Sequence, residues 1–288
     1  MRIKPPLWNV SAARVDPKWR ELWRDATILP MLETSGSKVA SFGNHRESPT
    51  WTSTSTTGIE RKVTTLGPAL SFNNPTASAS DQDYIEYNWL PNFGAMTVVV
   101  VMELNALVFT NYYEQYVTQG SNANDSNFAF GFRHSKRRLF LDSHEGANGR
   151  HTENDVPSAA VTTHTPHVIA ARRDANSNVD LYWDGILLPT TGTPTTGTPG
   201  TSTAKLRVGA GTGTSSSSRG VIFGDRIFGV ALWPRRLPTE AILRVTDDFF
   251  EMVTMADDYP AWMPVPVSSI PFPPLFHRDV ESRTRLRM

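Results

Sequence analysis

The longest apolar run in this chain, Ala95 to Met102, is only strand-sized. A membrane-crossing helix needs about 18–20 such residues, and no stretch here approaches that. Within the run, Met96-Thr-Val-Val-Val-Val-Met102 does not alternate between apolar and polar positions. It therefore predicts a central strand buried on both faces. Asn127-Phe-Ala-Phe-Gly-Phe-Arg133 does alternate, which places Phe128, Phe130 and Phe132 on one face of a half-buried strand.

The same grammar predicts further strands near 26–32, 37–42, 68–73, 83–87, 95–104, 114–118, 137–142, 167–173, 178–184, 186–188, 205–209 and 225–233. Many short strands with turn-rich connections point to a β-sandwich rather than an α/β enzyme. One helix is expected near 239–253. It opens at Pro238-Thr239-Glu240, and Ile242, Leu243, Val245, Phe249, Phe250 and Val253 supply its apolar face. Three polar tracts, Thr50–Thr57, Thr190–Thr203 with its repeated Thr-Thr-Gly-Thr-Pro, and Gly209–Gly220, are expected to be exposed, mobile loops.

Lys plus Arg and Asp plus Glu both count 28, so the formal charge is zero. That argues against nucleic acid as the main partner, since a phosphate backbone selects a basic excess. No membrane partner is expected either. The chain has no cysteine, which excludes disulfides, thiolate metal sites and cysteine nucleophiles. At 288 residues with 39% hydrophobic residues, it can bury a sizeable core.

Three regions are expected: an N-terminal arm over 1–25, a sandwich domain over 26–258, and a C-terminal tail over 259–288. The arm carries a short helical signal, with Asp16 at the N-cap, Pro17 at the first turn, and Trp19, Leu22 and Trp23 on one face. The tail is rich in proline, and Trp262, Met263, Phe272 and Phe276 are its candidates for anchoring a neighbouring subunit. The N-terminus lacks the apolar run and cleavage site of a signal peptide, so synthesis in a cytoplasm is expected.

The segment after Asp142 gathers His144, Glu145, Arg150, His151, Glu153 and Asp155 around two glycines. It suits a polar binding loop through His144, Glu145, Arg150, His151 and Asp155, a mixed His/carboxylate metal site, or a solvated loop. Lectin-type contact would use exposed aromatics, for which Trp51, Trp89, Tyr112, Tyr113 and Trp183 are the candidates. Retaining glycoside hydrolysis needs two carboxyl groups roughly 5 Å apart, which alternate positions on a strand provide. Asp81, Asp83 and Glu86 come nearest without forming such a set, and no nucleophile elbow, zinc helix or phosphate loop is present. The expectation is a non-enzymatic protein with no catalytic residue, no metal and no cofactor.

Several segments, in order, resemble the laminin-G-like branch of the concanavalin A-like lectin/glucanase family. They are Leu32-Glu-Thr-Ser-Gly-Ser-Lys-Val39 with Gly43-Asn44-His45, then Gly67-Pro-Ala-Leu-Ser-Phe72 and Asp83-Tyr84-Ile85. His167-Val-Ile-Ala-Ala-Arg172 and Val179-Asp-Leu-Tyr-Trp-Asp-Gly185 follow, then Leu206-Arg-Val-Gly209 and Gly224 to Trp233. The resemblance spans about residues 26–254. It implies an all-β, concanavalin A-like jelly-roll sandwich with one short C-terminal helix and extended terminal arms. Asp184-Gly185 reads as a tight hairpin turn, with a metal-ligand role for Asp184 as the alternative. His167 reads as a histidine satisfied by a backbone carbonyl.

A cysteine-free domain of this kind with extended ends is similar to bacteriophage virion proteins such as head decorations, fibres and tail components. The resemblance implies a virion location, with capsid or tail subunits as partners and a homo-oligomeric state within the assembly. Surface glycan is a further partner. The alternative is a carbohydrate-binding lectin or host-receptor adhesion module. A glycoside hydrolase ranks below both.

Overall fold

The computed structural model describes residues 27–29, 41–42, 51–53, 59–64, 67–72, 84–87, 92–107, 113–122, 125–145, 148–191, 197–209, 211, 218–221 and 224–254. The N-terminal arm and the C-terminal tail, with Trp262, Met263, Phe272 and Phe276, lie outside the described residues.

In chain order the strands begin with β1 (Thr27–Leu29), β2 (Ser41–Phe42), β3 (Trp51–Ser53), β4 (Ile59–Thr64), β5 (Gly67–Phe72) and β6 (Ile85–Tyr87). They continue with β7 (Met96–Glu103), β8 (Tyr113–Asn122), β9 (Asp125–Arg133), β10 (Arg138–Glu145) and β11 (Asn148–Asp155). The last are β12 (Pro166–Arg173), β13 (Val179–Trp183), β14 (Ile186–Leu187), β15 (Leu206–Val208), β16 (Ser218–Arg219) and β17 (Arg226–Trp233). One α-helix, α1 (Thr239–Thr254), follows.

The strands form two sheets. The first runs β14-β13-β12-β7-β17-β5-β4, with β1 also on β17. The second runs β11-β10-β9-β8-β15-β6-β3-β2, with β16 also on β8. Nearly all pairings are antiparallel; β16 on β8 is parallel. The fold is a concanavalin A-like jelly-roll sandwich.

The continuous apolar run becomes β7, in which every residue is buried. Val100 pairs with Ile169 of β12 on one side and Val230 of β17 on the other. Val98, Val100 and Met102 join the core between the sheets, while Val99 and Val101 point the opposite way. That outer layer also takes Phe228, Ala231 and Trp233 of β17, and α1 closes it with Ala241, Ile242 and Val245. A strand covered on both faces has no polar face to display, which explains the missing alternation. Each large side chain buried under the helix contributes about 1.5–3 kcal/mol.

The entry to α1 is clipped to β7. Buried Thr97 accepts from the Leu237 amide at 2.9 Å and donates to the Arg235 carbonyl at 2.9 Å. Phe128, Phe130 and Phe132 of β9 are fully buried between the sheets, as their alternation requires.

Two expectations for the polar tracts need correction. Residues 197–204 are stitched down rather than loose: Pro199, Gly200 and Ser202 are buried. The Gly200 amide donates to Ser143 Oγ at 2.7 Å, its carbonyl accepts from Asn127 Nδ2 at 2.7 Å, and the Ser202 amide donates to Asn92 Oδ1 at 2.7 Å. A Cβ at Gly200 would come within 2.1 Å of the His144 carbonyl oxygen, so only glycine fits. Likewise Ser218–Arg219 form a strand, and the Gly209 amide donates to the Tyr116 carbonyl at 2.9 Å. Of the Thr50–Thr57 tract, residues 51–53 form β3 and the rest lies outside the described residues.

Candidate functional site

The segment after Asp142, expected to be a loop, instead continues β10 to Glu145 and forms β11 over Asn148–Asp155, and the two strands pair. Their polarity reflects an exposed sheet face, and polar alternation on an outer strand is easily taken for a loop. Asp142 sits opposite His151, Phe140 opposite Glu153, and Arg138 opposite Asp155, all on the outer face of the second sheet. His144 is on that face as well, its ring over Gly149, where a Cβ would approach to 2.8 Å. Arg150 is on the opposite face of β11, beside Gly197. The backbone of Glu145 closes the hairpin opposite Asn148. The structure thus brings His151 and Asp155 into one network, puts His144 on the same face, and separates Arg150 from them.

The network runs across three strands. Arg133 of β9 pairs with Glu153 at 3.2 Å, and Arg138 bridges Glu153 at 3.1 Å and Asp155 at 2.5 Å. His151 Nδ1 donates to Asp142, and its Nε2 lies 3.7 Å from Glu153. The guanidinium of Arg133 lies 4.5 Å over the ring of Tyr113 on β8, and Phe140 meets that ring edge-on at 5.2 Å. Three cations face three carboxylates, so the patch is locally neutral.

The environment fixes its charge states. Hydrogen bonds to Asp142 and then Glu153 raise the His151 imidazole to about 10, outweighing its partial burial, so it is charged at neutral pH. Burial opposes ionisation of Glu153, yet hydrogen bonds from His151, Arg138 and Arg133 hold its carboxyl at about 2. A general acid needs a raised carboxyl pKa; Glu153 has the opposite. Glu86 on β6 is likewise engaged, by Lys205 at 3.0 Å and Arg207 at 3.1 Å. Asp81 and Asp83 lie outside the described residues.

The proposed lectin aromatics divide. Tyr113 is half-buried on the outer face, whereas Trp183 is core and its indole donates to the Ala160 carbonyl at 3.2 Å. The side chain of Trp51, together with Trp89 and Tyr112, is outside the described residues. An indentation lined by Leu141, Ser143, Arg150, Thr152 and Arg173 has no room for a water molecule.

Asp184 and Gly185 have φ of 50° and 79°, the positive pair of a two-residue hairpin turn. Both Asp184 oxygens are engaged, by His167 Nδ1 at 2.8 Å and the Val168 amide at 2.9 Å. The other ring nitrogen of His167 meets the Thr162 hydroxyl at 3.1 Å and its carbonyl at 3.2 Å. His167 thus ties the turn to β12, as the hairpin-turn reading of Asp184 and Gly185 requires.

A second cluster escaped sequence reasoning. Glu114 of β8, His134 in the 3₁₀ turn after β9, and Asp225 just before β17 are all buried, with ligand-type atoms within 4.8 Å of one another. His134 Nε2 is 2.5 Å from Glu114 Oε2, and the Tyr116 hydroxyl donates to the same oxygen at 3.1 Å. Asp225 Oδ1 accepts from the Asn105 amide at 2.6 Å, and its buried Oδ2 has no hydrogen-bond partner. Burial and then the neighbouring Glu114 charge push the Asp225 carboxyl well above the usual carboxylate range. No local signal marked it, because the strand that carries Glu114 is itself mostly polar, with Gln115, Thr118, Gln119, Ser121 and Asn122.

No family model matches the sequence, and no curated protein matches it. Among solved structures it is similar to a mutant Trypanosoma rangeli sialidase displaying trans-sialidase activity, at 14% identity and a TM-score of 0.52. That likeness covers 81% of this chain and 34% of the sialidase, so the chain spans about a third of its length. A Ruminococcus gnavus IT-sialidase CBM40 bound to α2,3 sialyllactose aligns at 13% identity and TM-score 0.41, over 54% of this chain and 84% of that one. Domain 4 of AbnA, a GH43 extracellular arabinanase from Geobacillus stearothermophilus in complex with arabinotriose, aligns at 12% and 0.45, over 75% and 93%. At 14% identity the likeness to the sialidase establishes the sandwich fold alone.

Proposed function

We propose that the chain is a non-enzymatic contact module that engages surface glycan through the outer face of β8 to β11. The observation that carries this reading is the neutral network of Arg133, Arg138, Asp142, His151, Glu153 and Asp155 beside Tyr113, fixed on rigid strands. Sugars present many hydroxyl groups and little charge. Pre-oriented donors and acceptors beside an aromatic ring recognise them without a deep cleft. Glycan contact also agrees with a fold similar to that of a sialidase, although fold alone does not transfer activity.

A glycan array with the full chain tests the reading. Binding to a defined glycan class, reduced at least tenfold by His151→Ala or Arg138→Ala, is the expected result. Silence on the array, or binding indifferent to both substitutions, refutes it. Hydrolysis of any bound glycan would refute the non-enzymatic part.

A second reading, a subunit of a larger assembly such as a virion, is favoured by one feature. Ile186 and Leu187 of the edge strand β14 are 66% and 52% exposed, and Leu243 of α1 is 43% exposed; both Leu243 and Thr246 of α1 lie near Gly185 in the adjoining turn. An exposed apolar sheet edge invites a partner strand. Ile186→Lys is then expected to abolish co-assembly with its partners while leaving glycan binding intact.

A further inference from the structure

We propose that Glu114, His134 and Asp225 form a binding site for one divalent transition-metal ion, of the zinc class, that pins the two sheets together. Glu114 and His134 belong to the second sheet and the turn that follows β9, while Asp225 leads into β17 at the centre of the first. An ion held by all three bridges the sandwich at a point that no disulfide can serve, because the chain has no cysteine.

The donor set fits the chemistry. Two carboxylates and one imidazole offer oxygen and nitrogen ligands of the kind zinc and manganese accept, and the imidazole disfavours calcium. The three ligand atoms already lie within 4.8 Å of one another. A tetrahedral ion bound at about 2.0–2.2 Å places its ligand atoms about 3.4 Å apart. The His134–Glu114 contact, now 2.5 Å, therefore has to open by about 1 Å.

Asp225 supplies the independent pointer. One of its oxygens is fixed by the Asn105 amide. The other is buried, without a hydrogen-bond partner, in a residue only 1% exposed. An unpaired carboxylate oxygen inside a protein costs free energy unless something positive meets it. Tyr116, hydrogen-bonded to Glu114, orients that ligand from behind. Three protein ligands leave a fourth tetrahedral position that the chain itself does not fill, but all three are buried, so no substrate reaches it and the ion is structural rather than catalytic.

The alternative occupant of the same space is a proton shared between Asp225 and Glu114, and the experiment separates the two. The full chain is stripped with chelator and titrated with zinc alone, then with manganese and calcium, while metal content and Tm are followed. One zinc per chain is expected, with Tm rising by about 5–10 °C at a hundredfold excess over Kd. Asp225→Asn retains the acceptor for the Asn105 amide and should weaken zinc at least tenfold. His151→Ala, on the outer face, should leave it unchanged. Cobalt(II) added to the stripped wild-type chain provides a readout that needs no variant: visible absorption of a four-coordinate nitrogen–oxygen site, bleached by zinc. A stripped chain that takes up no ion and shows no change in Tm overturns the proposal in favour of the shared proton. So does zinc binding that survives Asp225→Asn but is lost in His151→Ala.

Discussion

The outer faces of the two sheets solve the same problem in opposite ways. On the first sheet Val99, Val101, Phe228 and Trp233 are apolar, and α1 covers them. On the second, Arg133, Arg138, Asp142, His151, Glu153 and Asp155 face outward and satisfy one another with ion pairs. Covering a face with a helix removes apolar area from water and yields large stabilisation. Pairing charges at a surface yields little, because water already solvates them well. The first face therefore holds the domain together, and the second is free to take part in recognition.

The sharpest test of this contrast is Trp233→Ala, which empties a fully buried site between β17 and the helix. It should cost about 3–5 kcal/mol in denaturant unfolding. A loss under 1 kcal/mol would mean the helix is not a true lid.

Glu153→Gln on the other face should cost about 1–2 kcal/mol, since Glu153 meets two arginines and His151 with only 10% of its side chain exposed. Its effect should depend on pH. The lowered Glu153 carboxyl contributes stability that is full above its ordinary 4.5 and is lost as pH falls through about 2. The raised His151 contributes stability that is full below 6.5 and is lost as pH rises through about 10. The network should therefore contribute most between about pH 4.5 and 6.5. Unfolding curves of wild type and Glu153→Gln across pH check this, and a difference that grows toward pH 10 would contradict it. Arg138→Ala is expected to be the mildest of the three, at about 1 kcal/mol or less, because its side chain is 25% exposed. If it matched Trp233→Ala, the two faces would not differ as described.

The same contrast decides what could be read from the sequence. β7 was legible because burial on both faces leaves a run of β-branched residues with no polar interruption. β9 was legible because Phe128, Phe130 and Phe132 mark one face. The helix was legible from its apolar spacing and forms over Thr239–Thr254. β4 was missed because Glu60, Arg61 and Lys62 make an edge strand resemble a connection. β11 was missed for the same reason, so His151 and Asp155 were found as polar residues but not as members of a sheet. Residues 197–204 are held by hydrogen bonds rather than apolar contact, a force that composition does not register. Glu114, His134 and Asp225 come together only through the closure of the two sheets, which no local pattern encodes.

One pairing bears on how the chain is made. β17 lies beside β7, reaches β5 on its other side, and pairs with β1 from the start of the described chain. When β7 emerges during vectorial synthesis, both its neighbours, β12 and β17, are still to be made, and its valines stay uncovered until residue 233 and then the helix have cleared the exit. The first sheet therefore assembles only after most of the chain has been translated. Such a nascent chain is a natural client for a holdase chaperone during that interval.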